Sequence, residues 1–261
     1  MVNITIYWTF FVPLTNSVIA MRAWTCHGRN QKELVDKLKQ ARIVLSDKVA
    51  SVMESVDRQY FCPSTPYDDS PQSIGLGQTI SAPHMHAHAL EEIFQSLQKS
   101  SSASFEILDV GVGSGYLAAC LGQWVHPPNP ILGKSGKVYG IDVWPKLIEN
   151  SKKNINQLNP SLLRDGTVQI SLGDGWKGIE GHQFDAIHVG AAASQLPQNL
   201  MMQLKVGGVM LIPVGRESGA QILYRIRKCQ ENAVFEKQDF TIDELLQVRY
   251  VPLIHPHGPE N

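Results

Sequence analysis

"ILDVGVGSGYLAA", residues 107–119, passes from apolar residues through three alternate glycines into a second apolar stretch. Its first part has the short, continuous apolar character of a strand buried on both faces, and its last part reads as a helix starting near Tyr116. Gly111, Gly113 and Gly115 form the bend between them. Glycine lets a backbone turn tightly and approach a ligand with no Cβ in the way. The stretch therefore predicts strand, ligand-binding bend and helix of an α/β fold.

The sequence downstream repeats this rhythm. "KVYGID", "TVQISLG", "FDAIHVG" and "GGVMLIPV" are short apolar runs separated by helical stretches that begin near Pro145 and Pro197. Such alternation predicts a doubly wound, mostly parallel sheet. Beyond Val214, "AQILYRIRK", "AVFEKQDF" and "LQVRYVPL" differ. Ile222, Tyr224 and Ile226 alternate with polar neighbours, which predicts antiparallel C-terminal strands. Upstream of residue 105 the chain reads as helical. Ser46 is a plausible N-cap for a helix with Val49, Val52, Met53 and Val56 on one face, and a second helix runs from Pro83 to Leu97. "CPSTPYDDSPQSIGLGQ" and "HPPNPILGKSG" read as loops. The expected organisation is one domain over 23–261, with a helical, substrate-side segment (23–104), a cofactor-binding sheet (105–261) and an extension at 1–22.

The 261 residues carry 23 basic and 24 acidic side chains, a formal charge of -1, with no dense basic stripe, so a nucleic-acid partner is not expected. Cys26, Cys62, Cys120 and Cys229 are scattered without ligand spacing and read as reduced thiols. "ITIYWTFFVPL" resembles the apolar core of a signal peptide, with Val18 and Ala20 as a cleavage site, but no Lys or Arg precedes it. It is too short to span a bilayer comfortably, and a start at Met21 or further upstream explains it equally well. A cytosolic protein without stable membrane association is expected.

What the bend holds depends on its neighbours. A phosphate-binding P-loop fails, because Pro128 of "PNPILGKS" takes the place of the first required glycine. A dinucleotide fingerprint is nearly met by Gly113, Gly115 and Ala118. Asp109 argues against it, since a carboxylate beside the bend opposes pyrophosphate. It suits S-adenosylmethionine, which has a sulfonium, an ammonium group and no phosphate. Asp142, ending the second strand ahead of Val143, is placed for ribose hydroxyls. Asp174, ending the third ahead of Gly175, is placed for the adenine amino group. His84, His86 and His88 raise a metal reading, but no Cys, Glu or further His stands at a spacing that completes the set. His188 reads as a hydrogen-bonded strand-end residue.

"DSPQSIG", "TISAPHMHAHAL", "LDVGVGSGYL", "GDG", "DAIHVGAAA", "QLKVGG", "LIPVG" and "YVPL" appear in this order. The succession resembles the protein-L-isoaspartate O-methyltransferases of eukaryotic type, from about Ala23 to Ile254. The resemblance implies a Rossmann-like class I methyltransferase fold. It also implies methyl transfer from S-adenosylmethionine to the free α-carboxylate of L-isoaspartyl residues in damaged proteins and peptides, with S-adenosylhomocysteine as product, by a monomer. It makes Ser81 the active-site residue, read as a donor that orients the carboxylate; its alternative is a cap ahead of Pro83. By the same resemblance Gln78, Thr79 and Ile80 form the cofactor-side wall with Ser81, His86 lies near the cofactor, and Ile254 reaches back to it by its backbone. Val112 and Trp176 depart from the family's usual small polar and basic residues, and "HPHGPEN" after Ile254 matches poorly.

Overall fold

The computed structural model describes residues 26–127 and 130–256. The "ITIYWTFFVPL" stretch and the expected extension lie outside them.

The central element is β3 (Phe105–Val110), whose side chains are buried except Glu106. It pairs in parallel with β4 (Gly136–Asp142) on one side and with β6 (Phe184–Val189) on the other. β5 (Val168–Leu172) extends the first side and β7 (Leu204–Val214) the second, both in parallel. β8 (Gln221–Lys228) and β9 (Phe240–Val248) then add antiparallel, giving the order β5-β4-β3-β6-β7-β8-β9. The doubly wound, mostly parallel sheet with antiparallel C-terminal strands is thus observed. Because chain order steps outward from β3 to β5 and then returns to β6, the crevice beyond the ends of β3 and β6 is the place where this topology opens a ligand site.

Successive residues of β3 serve opposite cores. Ile107 packs in a cluster with Leu34, Val49, Leu90, Leu117 and Trp124, while Leu108 and Val110 pack with Ile187, Met210 and Leu200. The first cluster unites α1 (Gln31–Gln40), α2 (Asp47–Ser55), α3 (Pro83–Leu97), α4 (Tyr116–Val125) and α5 (Pro145–Leu158) with the sheet. A four-residue α6 (Ser161–Arg164) follows α5, and among the described residues the one helix on the other face is the short α7 (Gln198–Met202).

Three details differ from the sequence reading. α1 was not anticipated, although Asn30 caps it by accepting from Glu33 N–H and Leu34, Val35 and Leu38 form its buried stripe. The supposed loop before Pro83 contains a small hairpin, β1 (Gln72–Gly75) and β2 (Gln78–Ile80), turned by Gly75, Leu76 and Gly77, all at positive φ. "AVFEKQDF" is not a strand. Its charged run forms a single 3-10 turn, and only Phe240 belongs to β9.

Ser46 caps α2 as expected, accepting from Val49 N–H. The buried Glu91 on α3 completes that cap, with one carboxylate oxygen accepting from Leu45 N–H (2.7 Å), Ser46 N–H (2.8 Å) and Ser46 Oγ–H (3.1 Å). A carboxylate at a helix N-terminus is favoured both by its hydrogen bonds and by the helix dipole. Glu91→Ala orphans these donors in a buried setting and is expected to cost about 2 kcal/mol, read as a lowered urea midpoint at unchanged slope.

Candidate active site

At the carboxyl end of β3 the chain turns through Gly111, Gly113 and Gly115 with φ of 75°, 52° and 88°, all left-handed. The turn directs the backbone over the crevice and into α4. Two joined cavities lie there. The first spans about 510 Å³ and the second about 340 Å³ of space that opens to solvent, and both include Thr79, Gly111, Gly113 and Gly190 in their walls.

Gln78, Asp142, Val143, Gly175 and Ile254 line the first cavity with the shared glycines. Asp142 Oδ2 accepts from Gly113 N–H (3.0 Å) and Oδ1 from Trp144 N–H (3.1 Å). Burial pushes its carboxyl above the ordinary range, against these backbone donors, which favour the charge. Among the described residues no Lys or Arg lines this cavity, and one glycine-bend N–H is already committed to Asp142. The arrangement suits a nucleoside with hydroxyls to donate. It gives a pyrophosphate no charge partner.

Ile80, Ser81, His86 and Asp109 meet in the second cavity, joined by Tyr116 and His188. Asp109 Oδ1 lies 2.8 Å from His188 Nδ1, so the strand-end histidine pairs with the carboxylate ahead of the bend. Ser81 does not cap α3; Ala82 holds the N-cap position, and no side chain caps the helix there. The three histidines of α3 part company. His84 turns its N–H and Nδ1 to Asp69 (3.0 and 2.7 Å), and His86 Nδ1 faces Arg58. His88 Nε2 is buried without a hydrogen-bond partner.

Two of the expected residues stand outside both cavities. Gly115 brings α4 against α5, and a Cβ on it would come within 3.0 Å of Ser151 Cβ. Asp174 accepts from Trp176 N–H (2.9 Å) and lies 3.1 Å from His255 Nδ1.

That contact belongs to a strap. After β9 the chain leaves the sheet and runs beside Ala192, with Ala192 N–H donating to Val251 O and Leu253 N–H to Ala192 O, each at 2.8 Å. Val251 to Ile254 thereby wall the first cavity. Trp176 donates from Nε1 to Leu253 O (3.1 Å) and stacks on His255 at 5.7 Å. The unusual Trp176 and His255, the first residue of the poorly matching stretch, are therefore partners.

Tyr250 is a residue that sequence reasoning missed. The buried Gln221 grips its backbone at both polar groups, and its phenol stands beside Ser81. Burial pushes that phenol up to about 12, while the Ser81 hydroxyl pulls the other way. Its position at the head of the "YVPL" motif was the only signal available.

A family model described as protein-L-isoaspartate(D-aspartate) O-methyltransferase matches residues 29–258. The chain belongs to that family. The protein-L-isoaspartate O-methyltransferase of Caenorhabditis elegans is 43% identical over 207 residues, covering 79% of this chain and 87% of the relative. An Arabidopsis thaliana protein-L-isoaspartate O-methyltransferase 1 is 42% identical over 235 residues, covering 88% and 94%. A crystal structure of a putative family member from Plasmodium falciparum, in complex with S-adenosyl-L-homocysteine, superposes with a TM-score of 0.73 at 33% identity, covering 87% of this chain and 99% of that one.

At Gly175 the strap leaves no room for a side chain, since an added Cβ would lie 2.6 Å from Val110 Cγ1 and 2.8 Å from Leu253 Cδ1. Gly175→Ala is expected to cost about 1–3 kcal/mol as the crowding is relieved. Loosening of the strap should appear as faster hydrogen exchange at the Leu253 amide, alongside a lowered denaturation midpoint.

Proposed function

We propose that this chain transfers a methyl group from S-adenosylmethionine to the free α-carboxylate of L-isoaspartyl residues in damaged proteins and peptides. The following backbone nitrogen then attacks the ester carbonyl and, with loss of its proton, expels methanol to give a succinimide, whose hydrolysis returns part of the residue to aspartate. The observation that carries this reading is the joining of a glycine-lined cavity, without basic side chains among the described residues, to a second cavity that holds Ser81.

The residues fit the cofactor. The glycines of the left-handed bend put no Cβ in the way, Asp142 would accept from ribose hydroxyls, and the Asp109 carboxylate in the second cavity would face the cofactor's positive charge. Gln78, Thr79, Ile80, Val143, Gly175 and Ile254 complete the walls. Bound there, S-adenosylmethionine supplies an electrophilic methyl on a sulfonium.

The protein's own task is modest. A carboxylate with a pKa near 4 is already ionised at neutral pH, so no general base is required. Ser81 donates to the accepting carboxylate and fixes its direction, and positioning of this kind is worth up to roughly 7–11 kcal/mol. The strap on one side and the β1–β2 hairpin on the other, which contributes Ile74, Gln78 and Thr79, exclude water from the cleft.

We further infer a single catalytic domain over 23–261 that acts as a cytosolic monomer on polypeptide rather than nucleic acid. Cys62 and Cys120, both buried, and the exposed Cys229 are free thiols, which supports a reducing compartment. Among the described residues no helix is long and apolar enough to cross a membrane.

The test compares two peptides that differ only in an isoaspartyl or an aspartyl linkage, with labelled S-adenosylmethionine. Base-labile label is expected on the isoaspartyl peptide alone, and Ser81→Ala should lower kcat/KM at least about tenfold. Equal labelling of both peptides, or none, would sink the reading. Trp176→Ala is expected to weaken S-adenosylhomocysteine binding about tenfold by calorimetry, because the strap loses both its hydrogen bond and its stack.

A further inference from the structure

Arg58 is wholly buried, and among the described residues no carboxylate lies within ion-pair distance of it. Its donors end on neutral acceptors: Nε on Pro66 O (3.0 Å), Nη1 on His86 Nδ1 (2.9 Å) and Nη2 on Ser81 O (3.1 Å). The guanidinium carbon stands 4.9 Å over the Tyr116 ring. A buried cation without a direct ion pair, with Asp69 acting on it only at a distance, is costly, so its placement against two cavity residues calls for a physical reason.

The reason lies in its hydrogen bonds. A guanidinium has no lone pair to offer. The His86 nitrogen facing it must therefore be the unprotonated one, and neutral His86 carries its proton on Nε2. His86 and Ser81 line the second cavity, whereas Arg58 does not. With Nδ1 turned to the buried guanidinium, the Nε2 edge is the one the ring presents to the cavity.

We propose that Arg58 is a positioning residue for a carboxylate in the second cavity: it locks His86 as an Nε2–H donor and pins Ser81 by its carbonyl, so that an imidazole N–H and a hydroxyl face that carboxylate together. The inference rests on the methyl-transfer reading, in which the carboxylate is either the acceptor's or the amino-acid end of the cofactor. Burial, then the charge of Arg58 with His188 and His84 behind it, holds His86 well below the ordinary histidine range. The remaining groups around the ring are Tyr116 at 4.8 Å, on α4, and the Asp109–His188 pair of β3 and β6 in the same cavity. His86 thus stays neutral through the physiological range, and its donor does not switch off.

The first test needs no catalysis. Nitrogen-15 spectra of the histidine rings in the unliganded protein should show His86 as the Nε2–H tautomer, unchanged between about pH 5 and pH 8. An Nδ1–H tautomer, or titration near the ordinary value, overturns the proposal whether or not the enzyme is a methyltransferase. Arg58→Lys should release the tautomer and give kcat/KM a new acidic limb. The same variant should raise either the KM for isoaspartyl peptide or the Kd for S-adenosylhomocysteine about tenfold, which tells the two carboxylates apart. An unchanged tautomer with unchanged KM and Kd overturns it. A paired substitution covers a folding failure of Arg58→Lys. His86→Gln keeps a donor at the Nε2 position and should retain activity within about tenfold, while His86→Asn keeps only the acceptor for Arg58 and should lose about a hundredfold. The reverse order refutes the role of the Nε2 proton.

Discussion

β3 has partners on both sides whose connections run in opposite directions, and the site depends on that one topological fact. The chain cannot cover the end of β3 with a crossover from either side, so a crevice remains there. The bend at Gly111–Gly115 turns across it, with each glycine held at a left-handed φ that other residues adopt only with strain. Asp109 at the end of β3 and Asp142 at the end of β4 then stand at the rim without further design. The helices enter second. α3 brings His86 to the rim, the hairpin before it brings Thr79, and the chain beyond β9 returns to close the remaining side.

The central sheet was legible because its strands are buried on both faces and so read as uninterrupted apolar runs. The antiparallel edge was legible for the opposite reason: β8 is half-exposed and alternates. Legibility failed where local and tertiary signals disagreed. The β1–β2 hairpin carries three prolines and two glycines in and before it, and its short strands are stabilised by the crevice rather than by their own composition. "AVFEKQDF" alternates weakly, but its charges satisfy themselves in a turn, with Asn232 donating to the Asp239 carboxylate.

The site divided along the same line. Residues whose role is backbone geometry or a carboxylate at a strand end could be read from spacing. Gly115 and Asp174 show the limit of that approach, because a glycine in the bend can serve helix packing and an acid beyond a strand can fasten a neighbouring segment. Arg58 and Gln221 were invisible, and Tyr250 had only the "YVPL" motif to mark it. Each acts through a partner between 23 and 29 positions away or further, and nothing in the local sequence distinguishes a buried arginine from a solvated one.

The strap has a consequence for the order in which the molecule is made. Trp176 reaches Leu253 across 77 positions, Asp174 reaches His255 across 81, and Arg225 ties the far edge of the sheet to Glu92 across 133. Contacts that close long loops form only after much of the chain's entropy has already been lost. Both cores can therefore consolidate while the wall made by residues 251–254 is still loose. A chain caught at that stage would look nearly native by its secondary structure and yet lack a finished cleft, so recovery of activity should be the last event in refolding.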